Sequence, residues 1–242
     1  MRVFKKCLLV LGILLLILSG YIIFRSDTFI EDASTYHGWN LMLVNHTSKI
    51  PDNYKVILTK LDNGKEVDSR IVSELSQMFR DARKDDIYMQ VNEGYRSSYS
   101  QQKILDNRTN YYKNKGLFTI LARRYALNYV SAPGTSEHQL GLAVDIVGDN
   151  RYTTNQSAYR WLERNAYKYG FVKRYPKNKT SITHIKHEPW HYRYVGKKAA
   201  LKMHQKNLLY TKLLSFATYI RTISPSGTSV AQTRTDRSVN RS

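Results

Sequence analysis

The sequence predicts an α+β domain, a small and mainly antiparallel sheet flanked by helices, preceded by a single N-terminal transmembrane helix. Three observations carry this. Strand-like and helix-like segments follow one another without strict alternation, which argues against a doubly wound parallel sheet. The run "CLLVLGILLLILSGYIIF", Cys7 to Phe24, holds eighteen residues and no charge, the short end of what spans a bilayer. Hydrophobic residues make up 42% of the 242-residue chain, enough for a core in one domain beside the anchor.

At the start, "MRVFKK" places Arg2, Lys5 and Lys6 before the apolar run. Such residues keep the N-terminus inside and the rest of the chain outside. Positions 1–6 are then a cytoplasmic basic segment and 7–24 a transmembrane signal anchor. A cleaved signal peptide is the rival reading; it favours a shorter apolar region and an Ala-x-Ala-like end, whereas here apolar residues continue past Ser19 and Gly20. The polar stretch 25–38 reads as a stalk.

"WNLMLVN", Trp39 to Asn45, reads as a strand or an extended packing segment. Pro51 and Asp52 mark a turn, and Gly64 in "DNGKEV" a second one. From Arg70 to Arg83, Ile71, Leu75, Met78, Phe79 and Ala82 recur at helical spacing, with Asp68 or Ser69 as N-cap. Asp86 to Val91 reads as a strand. "GYRSSYSQQKIL" turns at Gly94 into a polar helix, and Leu117 to Tyr129 reads as another. "SAPGTSEH" is a loop, and "LAVDIV", Leu142 to Val147, a buried strand. Ser157 to Tyr169 reads as a helix stopped by Gly170. "FVKRY" and "HYRYV" are short strands. The domain extends over 39–223 with a basic helical extension at its end, and 224–242, rich in Ser, Thr and Arg, reads as a disordered basic tail.

Composition narrows the partners. Net charge is +19; four of the basic residues lie in positions 1–25, leaving +15 for the rest. Such a surface favours polyanions. No zinc finger, RNA-recognition signature or basic zipper accompanies the charge, so a nucleic-acid reader is not expected. For an exported chain, anionic wall polymer or anionic lipid fits better. The only cysteine is Cys7, so the outer domain has no disulfide, no thiolate ligand and no cysteine nucleophile.

Two strings carry chemistry. "SEHQLGLAVD" sets His138 and Asp145 seven residues apart, and "HEPWHYRYVG" sets Glu188 and His191 three apart. Imidazole and carboxylate bind zinc at about 2.0–2.2 Å, and a catalytic zinc keeps three protein ligands and one open position. Two histidines and an aspartate as ligands, with Glu188 as base, would make a hydrolase site. On a strand, Asp145 would point with Ala143, opposite Leu142 and Val144, and small residues at Gly141 and Ala143 would leave room beside a metal. Pro189 would let Glu188 and His191 approach one point. Taken alone, one His and one Asp at this spacing occur often by chance, so His138 and Asp145 read more readily as polar structural residues at the ends of a buried strand, and His184 and His187 compete as ligands.

"PGTSEHQLGLAVDI" and "EPWHYRYVG" resemble the two signatures of the VanY-type D-alanyl-D-alanine carboxypeptidases, within a zinc peptidase group that includes VanX-type dipeptidases and L,D-carboxypeptidases. The first has the pattern Ser-x-His-x(6)-Asp, the second Glu-x-x-His. "GYRSSYSQQ" and "YRWLERNAYKYGFVKRYPKNKTSIT" follow the family order, so the resemblance covers roughly Trp39 to Leu209. It implies one Zn2+ ion held by His138, Asp145 and His191, with Glu188 as catalytic base and Arg96 steadying the scissile carbonyl and its oxyanion. Ser136 and Gln101 match positions that contact substrate, and Tyr95 and Trp190 match wall or packing positions. It implies loss of the terminal D-alanine from a peptidoglycan stem peptide, with no covalent acyl-enzyme, and a contribution to glycopeptide (vancomycin) resistance. L,D trimming of tetrapeptide stems and a catalytically silent wall-binding module are the alternatives. Two departures stand out: His184 occupies a position where relatives often have glycine, and "NLLYTKLL" lacks the acids usual near the family's end.

Overall fold

The computed structural model describes residues 38–209. The anchor at 7–24, all but the last residue of the stalk, the basic extension beyond 209 and the tail at 224–242 lie outside the described residues. Among the described residues, no helix is long and apolar enough to cross a membrane.

Two antiparallel sheets and flanking helices form the domain. Strands β1 (Leu58–Lys60) and β2 (Glu66–Asp68) make a hairpin around Gly64. The second sheet has the order β3-β4-β6-β5, from β3 (Met89–Glu93), β4 (Ala143–Gly148), β5 (Phe171–Tyr175) and β6 (Glu188–Tyr194), all neighbours antiparallel. The helices are α1 (Val72–Lys84), α2 (Ser98–Asn114), α3 (Thr119–Ala126), α4 (Asn155–Asn165), α5 (Thr180–Thr183) and α6 (Lys197–Gln205).

Helix α1 forms where the periodicity places it. Ile71, Leu75, Met78 and Ala82 are buried in the main core, and the Asp68 carboxylate accepts from the Arg70 amide ahead of it. That core lies against one face of the four-stranded sheet, where Val91, Val144, Ile146, Phe171 and Tyr192 meet the helices. "WNLMLVN" forms no ladder. It is an extended packing segment: Met42 and Val44 enter the core, and the Met42 carbonyl accepts from Arg193.

Several boundaries move for local reasons. The strand expected over 86–91 starts at Met89, because Asp86 takes a left-handed conformation at φ 57° in the turn after α1. The helix expected over 117–129 shrinks to α3, since Phe118 is extended at its N-cap. The helix expected over 157–169 divides into α4, capped by the Thr154 hydroxyl, and a 3-10 turn that ends at the left-handed Gly170.

Candidate metal centre and active site

The site is assembled on β4 and β6. Asp145 and His191 are direct cross-strand partners, so their side chains share a face about 5 Å apart at Cβ. His138 comes from the 3-10 turn Glu137–Leu140 just before β4. Its Nδ1 lies 2.7 Å from the Gly94 carbonyl. That contact places the proton on Nδ1 and leaves Nε2 bare as a donor. Gly94 is required there, since a Cβ would stand 2.2 Å from the Glu66 carbonyl.

One ligand atom from each of His138, Asp145 and His191 lies within 4.8 Å of the others. Asp145 Oδ1 is 3.4 Å from His138 Nε2 and 3.2 Å from His191 Nδ1. It is buried and accepts no hydrogen bond. A buried, unsatisfied carboxylate oxygen facing two imidazole nitrogens fits a cation. The electrostatics agree. Burial would raise the Asp145 carboxyl, but the two imidazoles hold it well below the usual carboxylate range. Burial would lower His191, but Asp145 and Glu137 push it up to about 9. The donor set calls for positive charge at its centre.

Two irregularities in the sheet bring further groups to this point. Between Lys173 and Tyr175 of β5, the partner strand passes four residues, from Tyr192 to Glu188. The bulge contains Pro189, which cannot donate to a ladder. It turns Glu188 onto the face of His191, which an unbroken strand would deny to residues three apart; Glu188 Oε2 lies 3.6 Å from His191 Nδ1. Burial pushes the Glu188 carboxyl up to about 7, against the pull of His191. A second bulge, between Val91 and Glu93 of β3, sets Glu93 opposite Asp145 and leads the chain into Gly94, Tyr95 and Arg96.

Arg96 lines the same cleft, a volume of about 130 Å³. Its Nη1 donates to the Gln101 amide oxygen at 3.0 Å, its Nη2 lies 3.5 Å from Glu93, and its Nε is buried without a partner. Gln101 donates in turn to the Ser131 carbonyl at 2.7 Å. Gln101 lines the cleft, but both ends of its amide are engaged by the protein, so it fixes Arg96. Ser136 and Trp190 also line the cleft; Tyr95 contributes an amide to the Glu66 carbonyl at 2.5 Å.

Two expectations change. Gly141 does not make room beside a metal: it sits at φ 70°, and a Cβ there would meet the Asp68 amide at 2.9 Å, so backbone geometry demands the glycine. His184 does not crowd the site. It is exposed, caps α5 at φ 60° and packs on His46 at 4.2 Å between ring centroids. That left-handed conformation is one that glycine adopts without strain. His187 turns away as well, its Nδ1 at 2.9 Å from the Tyr175 carbonyl.

Beneath the triad lies a group the sequence reading missed. Glu137, 2% exposed, faces His191 Nε2 at 3.5 Å, accepts from Arg174 Nε at 2.8 Å and lies 3.6 Å from Arg193 Nη1. Burial would raise its carboxyl, but Arg174 and Arg193 hold it well below the usual range. The signal was present in the charged residues inside the apolar strands "FVKRY" and "HYRYV", which buried strands carry only when paired.

A convergent His-Asp-His donor set, with a buried carboxylate and a guanidinium around one cleft, on an antiparallel α+β scaffold, defines a metallohydrolase-type centre. The VanY family, described as D-alanyl-D-alanine carboxypeptidase, matches residues 64–197. The chain belongs to that family. It is 46% identical over 177 residues to a D-alanyl-D-alanine carboxypeptidase of Enterococcus faecalis, a match covering 73% of this chain and 66% of that relative. The chain thus spans just under two thirds of that curated relative's length. Among solved structures, VanYB in complex with D-alanine-D-alanine superposes with a TM-score of 0.72 at 46% identity, covering 73% of this chain and 98% of that one. A VanY mutant from a VanB-type resistance cassette, in complex with Zn(II), superposes at 0.71 and 46% identity, covering 73% and 99%.

Proposed function

We propose that this chain is a membrane-anchored, zinc-dependent D,D-carboxypeptidase that removes the C-terminal D-alanine from peptidoglycan stem peptides outside the cytoplasmic membrane. The observation that carries the reading is the unsatisfied Asp145 Oδ1 between His138 Nε2 and His191 Nδ1, with Glu188 beside it, in a chain of the VanY family. His138, Asp145 and His191 would hold one zinc ion. Bound there, zinc supplies a Lewis acid that polarises a carbonyl and lowers the pKa of water.

The chain's own residues would do the rest. Glu188 takes a proton from the attacking water and returns it to the amine of the departing D-alanine. A carboxyl pushed toward neutrality by burial is suited to both halves of that task. Arg96 lies in the same cleft, held by Gln101 and Glu93, with a buried Nε free to donate to the negative oxygen of the tetrahedral intermediate. Ser136 lines the cleft as a contact for the substrate terminus. No side chain needs to become acylated. The apolar run 7–24 with its preceding basic residues supports an anchor that keeps the domain outside the membrane. Removing the terminal D-alanine destroys the dipeptide end of the stem, and a contribution to glycopeptide resistance follows from that chemistry.

The test is amino-acid release. The zinc-loaded protein is incubated with a pentapeptide ending in D-Ala-D-Ala and with a tetrapeptide ending in one D-Ala. D-Alanine is expected from the pentapeptide alone, and Glu188→Ala is expected to lower the rate ~10²–10⁴-fold while zinc stays bound. Release from the tetrapeptide alone would move the assignment to an L,D-carboxypeptidase. No release from either, with zinc bound, would leave a wall-binding module.

A further inference from the structure

The helical hairpin α2–α3 ends in a group of side chains that the fold does not use. Its inner side is complete: Leu105, Ala126 and Val130 form a cluster of their own, and Ala122 is fully buried. Outside that cluster, Phe118 and Ile120 at the turn are each 87% exposed, and Leu121 beside them is 44% exposed. Single exposed apolar residues are ordinary, but three together at a hairpin tip are not required by packing.

The surroundings of the tip are basic. Lys113, Lys115, Arg123 and Arg124 flank it, all exposed, and no acidic residue occurs from Asn107 to Ser136. Below the tip stand tyrosines. Tyr111 and Tyr125 are about half exposed, and each ring lies near that of Tyr112, at 5.2 and 5.7 Å between centroids. Lys113 and Lys115 end α2 beside the turn, and going away from the turn along α3, Phe118, Ile120 and Leu121 come first and then Arg123, Arg124 and Tyr125. That is the order in which a bilayer presents acyl chains and then anionic headgroups.

We propose that the α2–α3 tip is a contact for an anionic bilayer surface, with Phe118, Ile120 and Leu121 entering the headgroup–acyl boundary and the four cations meeting anionic headgroups. A soluble wall polyanion would use the cations but would leave the apolar tip unused. The contact also fixes the distance of the cleft from the membrane. Ile104 on α2 lines the cleft, and the ten residues from there to Asn114 rise roughly 15 Å at 1.5 Å per residue.

Vesicle sedimentation tests this without reference to catalysis, so the outcome is separate from that of the peptidase reading. Residues 38–209 can be used in place of the full chain, because a solved relative at 46% identity is a chain of similar extent: 98% of it is matched by 73% of this one. This removes the N-terminal apolar run from the measurement. Binding is expected to vesicles containing phosphatidylglycerol and to be at least tenfold weaker to pure phosphatidylcholine. Phe118→Ser with Ile120→Ser is expected to weaken binding at least tenfold, at unchanged melting temperature and unchanged release of D-alanine from a soluble pentapeptide. Replacing Lys113, Lys115, Arg123 and Arg124 by glutamine should remove the preference for the anionic lipid. The proposal fails if the parent does not sediment with anionic vesicles. It also fails if the Phe118/Ile120 variant binds them as the parent does, which would assign the basic patch to polyanions generally.

Discussion

His191 stands between two carboxylates in opposite surroundings. On the floor of the site, Glu137 meets its Nε2 and is itself clamped by Arg174 and Arg193. At the mouth, Glu188 approaches its Nδ1 from a bulged, proline-containing stretch, and no arginine is paired with it among the described residues. Both carboxyls are largely removed from water. The floor carboxyl is held well below the ordinary range and the mouth carboxyl is pushed up to about 7. Burial alone therefore does not tune an acid; what decides is whether cations share the buried space. The floor is built to stay ionised and orient an imidazole. The mouth, on the proposed function, is where a proton is exchanged.

Four changes break or sharpen this contrast. The largest is Glu137→Ala. It removes the carboxylate that faces the buried Arg174 and Arg193 guanidinium groups and is expected to cost about 3–5 kcal/mol of stability by chemical denaturation, and to weaken zinc binding ~10–100-fold in a chelator competition. A loss under 1 kcal/mol would show that the floor is not a coupled charge network. Next comes Arg96→Met at the mouth, expected to lower the rate of D-alanine release ~10²–10³-fold without altering zinc affinity; a weaker zinc site would place Arg96 in support of the ligands instead.

The third change tests the mouth without metal. A raised carboxyl binds its proton more tightly in the folded than in the unfolded chain, so stability falls as pH rises from the ordinary value of 4.5 to about 7. Glu188→Gln removes this burden. In zinc-free protein it should raise stability by about 3 kcal/mol at pH 8 and by almost nothing at pH 4. A pH-independent gain would mean that packing, not titration, is responsible. The smallest change lies outside the site. His184→Gly relieves a left-handed residue at φ 60° and should shift stability by no more than about 1 kcal/mol, with D-alanine release unchanged. A large effect on activity would return His184 to the site.

The sequence was read correctly where the signal is local. The apolar spacing of Ile71, Leu75, Met78 and Ala82 is a helix because 3.6-residue periodicity needs only its own segment to be seen. Gly64 and Gly170 mark chain reversals for an equally local reason. The strings "SEHQLGLAVD" and "HEPWHYRYVG" supplied His138, Asp145, His191 and Glu188 as candidates, and the resemblance to the VanY family, rather than residue chemistry alone, chose them over His184 and His187.

The tertiary structure decided what depends on register and burial. Only the pairing of β4 with β6 brings Asp145 opposite His191 across a gap of 46 positions. Only the bulge at Pro189 shows how Glu188 and His191 share a face. The chain alone could not separate His191 from His184 and His187, which differ from it in backbone conformation and orientation rather than in type. Nor could it distinguish Glu137 from Glu188, because a carboxylate's role follows from which charges are buried beside it, and those come from strands far apart in sequence.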